Sequence, residues 1–148
     1  MAVRKLLAIG NVVALIAIIL FMIKPFETSP PTAIVTAGEV AIPVTEGSYC
    51  WNGLFSGQCV DKEYGSIVAM GEEYKPTVVS PGEEIRVTFD KKPKAVEAEQ
   101  WLGEEQVQRV ELKNHTIVAP NQKGIYVYHL VAHWKKGDGS YAFSVEVK

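Results

Sequence analysis

The stretch that decides the fold is Pro120 to Val147, PNQKGIYVYHLVAHWKKGDGSYAFSVEV. Tyr126, Tyr128, Leu130, Ala132 and Trp134 stand at alternate positions, and Tyr141, Phe143, Val145 and Val147 do the same. A side-chain period of two puts each set on one face of a β-strand, and the intervening KKGDGS supplies a turn. Two strands with faces this apolar are not stable alone in water and need a second layer to cover them. The pattern therefore places Tyr126, Tyr128, Leu130, Trp134, Tyr141, Phe143 and Val145 in the core of a small β-domain.

Upstream segments supply that second layer. Thr77 to Ser80 reads as a short strand, Pro81-Gly82 as a turn, and Ile85, Val87 and Phe89 face inward while Arg86 and Thr88 face out. Ala95 to Leu102 continues as a strand with Val96 and Ala98 inward and an irregularity near Gln100-Trp101. After a turn at Gly103 to Gln106, Val107 to Leu112 and His115 to Ala119 add two more strands. Glu39 to Thr45 contains Pro43, which cannot donate to a ladder, so it reads as an edge strand or a strand end. Asp61 to Tyr74 has little periodicity and fits a short helix or a loop equally. Short strands separated by turn signals every ~8–12 residues are the pattern of an antiparallel sandwich, here of roughly seven strands. Asn121 to Tyr126, NQKGIY, resembles the Asp-x-Gly-x-Tyr that leads into strand F of immunoglobulin-like domains, where the tyrosine hydroxyl bonds back to the corner before it. The inter-sheet cysteine pair of antibody domains is missing, because Cys50 and Cys59 are too close in sequence to bridge two sheets. The expectation is an all-β, antiparallel immunoglobulin-like β-sandwich preceded by one transmembrane helix.

That helix is read from Leu6 to Ile23, LLAIGNVVALIAIILFMI, 18 residues without a charge and with Asn11 as the one strongly polar member. As a helix it spans ~27 Å, close to the ~30 Å of a hydrocarbon core. A cleaved secretory signal is the alternative, but its apolar region runs ~7–15 residues with small residues just after it. Here Lys24-Pro25-Phe26-Glu27 follows directly. Arg4 and Lys5 precede the span and Lys24 alone follows it closely, so the N-terminus stays cytoplasmic and the remainder is extracellular, on a single-pass cell-membrane anchor. Residues 24–37, KPFETSPPTAIVTA, hold three prolines and read as an extended linker. The organisation expected is thus 1–23 anchor, 24–37 linker and 38–148 β-domain.

From Gly38 onward the chain carries 12 Lys and Arg, the whole chain's 15 less Arg4, Lys5 and Lys24. Against them stand 16 Asp and Glu, the 17 less Glu27. Nothing in this sequence resembles the footprint of a nucleic-acid binder, which needs a clustered basic face. The short run Lys91-Lys92-Pro93-Lys94 reads as a solvated turn between two strands.

Cys50 and Cys59 are the only cysteines, and in an exported segment two cysteines read as one disulfide, enclosing a glycine-rich loop. Two thiols alone do not close a structural zinc site, and the spacing is not that of a redox-active Cys-x-x-Cys. Tyr49, Trp51 and Phe55 cluster around this loop and are the candidate partner-binding residues, since aromatics dominate interface energetics. Trp51 has a second reading, as a plug that folds inward and closes one end of the domain. His129 and His133 are four apart, which on a helix would suit a metal, but in a strand four residues span ~13 Å and the rings part. Both histidines are read as solvent-exposed, on the side away from Tyr128, Leu130 and Trp134. No nucleophile elbow or phosphate cradle is present in the sequence, and the pairs Glu72-Glu73, Glu83-Glu84 and Glu104-Glu105 sit beside turn glycines as solvated charges. The sequence therefore points to no catalytic residue, no metal and no cofactor.

Gly47-Ser48-Tyr49-Cys50-Trp51, Cys59-Val60-Asp61, Lys75-Pro76-Thr77-Val78-Val79-Ser80-Pro81-Gly82 and the closing Gly-Asp-Gly-Ser-Tyr-Ala-Phe-Ser-Val together resemble a group of small exported, membrane-anchored proteins of bacillus-type Gram-positive bacteria. The resemblance covers nearly all of residues 46–148 and implies location and domain type, with no catalytic residue to carry over. Many of that group carry a lipid-attachment cysteine; its absence here leaves the Leu6–Ile23 span as the anchor. The function expected is a tethered, non-catalytic domain that contacts the bilayer through Leu6–Ile23 and binds an envelope protein, a peptide or a cell-wall ligand. An accessory or sensor subunit that docks its helix to a larger membrane complex is the alternative, and an enzyme or inhibitor comes third.

Overall fold

The computed structural model describes residues 2–23 and 27–148, with the side chains of the first helix described from Ile9 to Met22. That helix, α1, covers Ala2–Ile23. The strands are β1 (Ala33–Ala37), β2 (Val40–Ile42), β3 (Thr45–Asn52), β4 (Gly57–Val60), β5 (Thr77–Val79), β6 (Glu84–Phe89), β7 (Ala95–Leu102), β8 (Gln106–Val110), β9 (Thr116–Val118), β10 (Gly124–His133) and β11 (Gly137–Val147). A short helix, α2 (Ile67–Gly71), lies between β4 and β5.

They assemble as two mostly antiparallel sheets. The smaller has the order β2-β1-β6-β9 and the larger β4-β3-β11-β10-β7-β8. β5 adds alongside the C-terminal half of β11, and this one pair is parallel. β10 and β11 pair over their whole overlap, from Gly124 opposite Val147 to His133 opposite Asp138. Tyr128 faces Phe143 across the pair with ring centroids 5.1 Å apart, and Leu130 faces Tyr141. These side chains, with Tyr126, Val145 and Val147, are sealed against Val35, Ile85, Val87 and Ile117 of the smaller sheet in one shared core. Each such fully buried large side chain contributes about 1.5–3 kcal/mol, and that gain, rather than strand propensity, holds the layers together. Trp134 sits at the rim of the same core, partly buried. Tyr126 Oη donates to Gln122 O at 2.9 Å, the bond to the preceding corner that its motif suggests.

Several expectations need correction. The structure has eleven strands among the described residues, not roughly seven. Of the linker expected over residues 24–37, residues 24–26 lie outside the described residues, and 33–37 form β1, with Ala33, Val35 and Ala37 in the core. Small inward residues suffice there because β1 lies between β2 and β6, where backbone pairing on both sides fixes it. Pro31 is tied down too, its carbonyl accepting the Tyr141 hydroxyl at 2.7 Å. The cysteine loop is a paired hairpin of β3 and β4. The ambiguous stretch contains α2, capped by Ser66, whose hydroxyl accepts from Ala69 N at 3.0 Å. α2 lies on the outer face of the large sheet against β10 and β11, which explains why Val127, Ala142 and Ser144, all outward-pointing, are buried. β7 runs unbroken through Gln100-Trp101, because the Gln100 amide faces inward and accepts the Tyr128 hydroxyl at 3.1 Å. The irregularity lies instead between β3 and β11, where the register shifts between Gly139 and Tyr141. β9 begins at Thr116, one residue later than expected, since Asn114 and His115 take positive φ in a tight two-residue turn.

Among the described residues, no helix is long and apolar enough to cross a membrane; α1's described side chains cover Ile9 to Met22 of the expected span.

Candidate functional site

Two surfaces of the β-domain bring chemistry-bearing residues together. The first is the end at which the chain arrives from α1. Here β3 and β4 form a hairpin in which Cys50 stands directly opposite Cys59, Trp51 opposite Gln58 and Asn52 opposite Gly57. The Cys50–Cys59 disulfide joins them, and Gly53 N donates to Ser56 O at 2.8 Å to close the tip. Alternation along β3 turns Cys50 outward and Trp51 inward. Trp51 is 3% exposed and meets Trp134 edge-on at 5.7 Å. Trp134 in turn meets Phe89 at 5.4 Å, and Phe89 meets Tyr141 at 5.4 Å. These four rings close the end of the core, so Trp51 takes the plug position of its two readings.

Of the three candidate partner-binding residues, Trp51 is therefore interior. Tyr49 is half-buried, and its hydroxyl accepts from Gln58 Nε2 at 3.3 Å. Phe55 projects into solvent at 86% exposure, beside Leu54 at 60%. The sequence reading did not single out Leu54, although two apolar residues at the apex of a glycine-flanked turn are signal enough. A cavity of about 220 Å³ lies under the tip, lined by Glu27, Thr28, Trp51, Leu54, Phe55 and Gln58 among others. Thr28 O accepts from Gln58 Nε2 at 2.7 Å, and Glu27 pairs with Lys91.

The β6–β7 and β10–β11 turns open at this same end, because Phe89 pairs with Ala33, and His133 pairs with both Ala95 and Asp138. Trp134 Nε1 donates to Lys91 O at 2.9 Å, and Asn52 N donates to Lys136 O at 2.7 Å, locking the two turns and the hairpin together. Lys91, Lys92, Lys94 and Lys135 are exposed around the tip and Lys136 is half-buried. The run read as a solvated turn is thus part of a larger basic rim.

The second surface is the outer face of β7, β8 and β10. Glu97, Glu99, Arg109, His129 and Val131 help line an open groove of about 440 Å³. His129 Nδ1 lies 3.7 Å from Glu99 Oε2, His133 Nε2 3.6 Å from Glu97 Oε1, and Arg109 4.0 Å from Glu97. These distances make ion pairs when the imidazoles are charged, not hydrogen bonds. The His129 side chain is 15% exposed, not solvated as the sequence suggests, because β10 is an interior strand flanked on both sides. Burial pushes its imidazole below its ordinary pKa, and Glu99 opposes that only partly. His129 and His133 do face away from the core, each beside its own glutamate. Among the described residues no three metal-ligating side chains converge.

Comparison with protein-family models, curated proteins and solved structures finds no match to this chain. The groove offers a neutral imidazole, carboxylates and one guanidinium, a set suited to hydrogen-bonding a ligand. Its polar lining is Glu97, Glu99, Glu111, Arg109 and His129, with no serine, threonine or cysteine among the described residues.

Proposed function

We propose that this chain is a membrane-tethered, extracytoplasmic immunoglobulin-like domain that acts by binding rather than by catalysis. The observation that carries this reading is α1. Every described side chain from Ile9 to Met22 is exposed, the large apolar ones at 44–82%. A helix apolar on all sides with no protein cover belongs in lipid. Beyond the described side chains, the sequence extends the charge-free run to Leu6 through Ile23, ~27 Å as a helix and close to a ~30 Å hydrocarbon core, and the basic pair Arg4 and Lys5 before it holds the N-terminus in the cytoplasm.

The immunoglobulin-like reading is supported by strand order. β1-β6-β9 corresponds to strands A, B and E, and β11-β10-β7-β8 to G, F, C and C′, with β2 to β5 and α2 as additions. The Tyr126 bond to Gln122 O stands where a tyrosine corner belongs. Binding is supported by the open groove beside His129, where carboxylates, a guanidinium and an imidazole offer hydrogen bonds to an envelope protein, peptide or cell-wall ligand. Such architecture alone does not imply function, so the test addresses the chain directly.

In intact cells, the full chain resists alkaline extraction, and its β-domain is cleaved by protease added from outside. Crosslinking to a partner is lost on Glu97→Gln, Glu99→Gln and His129→Gln together. Release of the chain by alkali, or protection of the domain from external protease, refutes the tether. Unchanged crosslinking of the triple variant refutes the groove as the binding surface. One observation favours a second reading, in which the helix docks to a membrane complex: Asn11 is a polar side chain within the apolar span. Asn11→Leu abolishes function under that reading and leaves it intact under the first.

A further inference from the structure

We propose that the β-domain makes a second membrane contact of its own, with Leu54 and Phe55 of the disulfide hairpin entering the headgroup layer of an anionic lipid surface. This inference rests on the tether reading above and adds to it the posture of the domain. Ile23 ends α1 and Glu27 is already fixed on the domain by Lys91, four residues later. Four residues span no more than ~14 Å. Thr28 is fastened to the hairpin through Gln58, and Pro31 to the core through Tyr141. The tip, which shares its cavity with Glu27 and Thr28, is thus held close to the point where the chain leaves the bilayer.

The chemistry of that end fits lipid. Leu54 and Phe55 project from a convex tip rather than lining a concave slot, so they suit insertion better than the capture of a side chain. Lys92, Lys94, Lys135 and Lys136 lie around them, four of the 12 basic residues beyond the linker, beside Lys91, which is paired with Glu27. Their long stems let the ammonium groups reach phosphates while the apolar pair goes deeper. Acidic groups at this end are Glu27 (paired with Lys91), Asp90, Asp138 and, beside His133, Glu97, which also faces Arg109. The opposite end is acidic. Its turns hold Glu39, Glu83, Glu84, Glu104 and Glu105 against Lys123 and Lys148. An anionic surface attracts one end and repels the other, which stands the domain upright on its tether. The disulfide and the paired strands hold the tip in shape, so little ordering is lost on contact, and the tether keeps lipid at high effective concentration.

The test uses the full chain reconstituted into vesicles of phosphatidylcholine alone or with phosphatidylglycerol, carrying Phe55→Trp as a reporter. Position 55 is exposed, so the variant folds, and retention of the disulfide and of the β-type circular dichroism verifies it. The expected result is an added emission component, relative to the wild type, that is blue-shifted and quenched by lipids brominated near the headgroup. It appears with phosphatidylglycerol, fades with salt, and is lost when Lys92, Lys94, Lys135 and Lys136 become glutamine with Lys91 left in place, each lysine strengthening the docked state by about fivefold. Water-like emission in both vesicles from a chain that resists alkaline extraction overturns the contact and leaves the tether standing. A chain that alkali releases overturns the tether and this inference together. A shift that grows with the protein-to-lipid ratio identifies a second copy as the occupant and overturns the lipid assignment.

Discussion

Gly137→Ala tests how the hairpin is held against the rest of the large sheet. Gly137 opens β11, pairs with Trp51, and has a φ of +152°, outside the range L side chains readily adopt. A Cβ placed there would lie 1.9 Å from the Cys50 carbonyl oxygen and 3.0 Å from Trp51 Cα. Neither atom belongs to a flexible side chain, so relief requires β3 and β11 to separate by roughly 1 Å at the position that holds the disulfide. Backbone strain of this kind costs about 1–3 kcal/mol. Loosening the aromatic closure around Trp51 adds a comparable amount, for a total of about 3–5 kcal/mol. Gly103→Ala is the control, because its φ is +64° but nothing lies within 4 Å of the added carbon. It costs only the left-handed penalty of about 1–2 kcal/mol. Urea unfolding of both variants followed by tryptophan fluorescence measures the difference. If Gly137→Ala falls within about 0.5 kcal/mol of the control, close approach at this site does not position the hairpin and the argument fails.

Other expectations are smaller in scope. Replacing Cys50 and Cys59 with serine removes a short covalent loop and lowers stability by about 2–3 kcal/mol, read as a shift of the urea midpoint; no shift would mean that strand pairing alone fixes the hairpin. Trp51→Ala empties the plug position and costs about 3–5 kcal/mol in thermal or urea unfolding, whereas a purely recognition role predicts an unchanged midpoint. Because burial depresses the His129 pKa, the unfolded chain binds more protons than the folded one below the ordinary histidine value of ~6.5. Stability therefore falls as pH drops from neutral through the depressed folded value. His129→Gln flattens that slope between neutral and mildly acidic pH, and an identical slope in the variant would assign it to other groups.

What could be read in the sequence depended on where side-chain size coincides with side-chain direction. In β10 and β11 the large residues all point inward, so alternation is visible and the core follows. In β1 the pattern is inverted. Ala33, Val35 and Ala37 go in while Ile34 stays exposed, and the prolines just before it make the segment look like a stalk. In β3, Gly47 is buried under α2, where a Cβ would lie 2.6 Å from Met70 Cε and 2.2 Å from Ser140 Oγ, so a strand position is occupied by a residue that signals a loop. α2 is too short to show a period. At the candidate site, Phe55 was legible as an exposed aromatic and Trp51 only as an ambiguity, since direction along β3 depends on pairing with β11. The basic rim was not legible at all. Lys91 to Lys94 and Lys135 to Lys136 are distant in sequence and meet because two turns open at one end of the fold.

β11 has a further consequence for how the protein is made. It is the last strand of the chain, yet it is the partner of β10, of β3 and of β5. Until residues 137–147 have been synthesised, the larger sheet has no middle, and the early hairpin and β5 have nothing to join. Folding of this sheet is therefore late and non-local: its central strand pairs with segments as far as roughly ninety residues away and joins them only after they have all been made. Loss of residues 137–147 would strand β10, β3 and β5 without their shared partner, leaving a product ready for quality-control proteases.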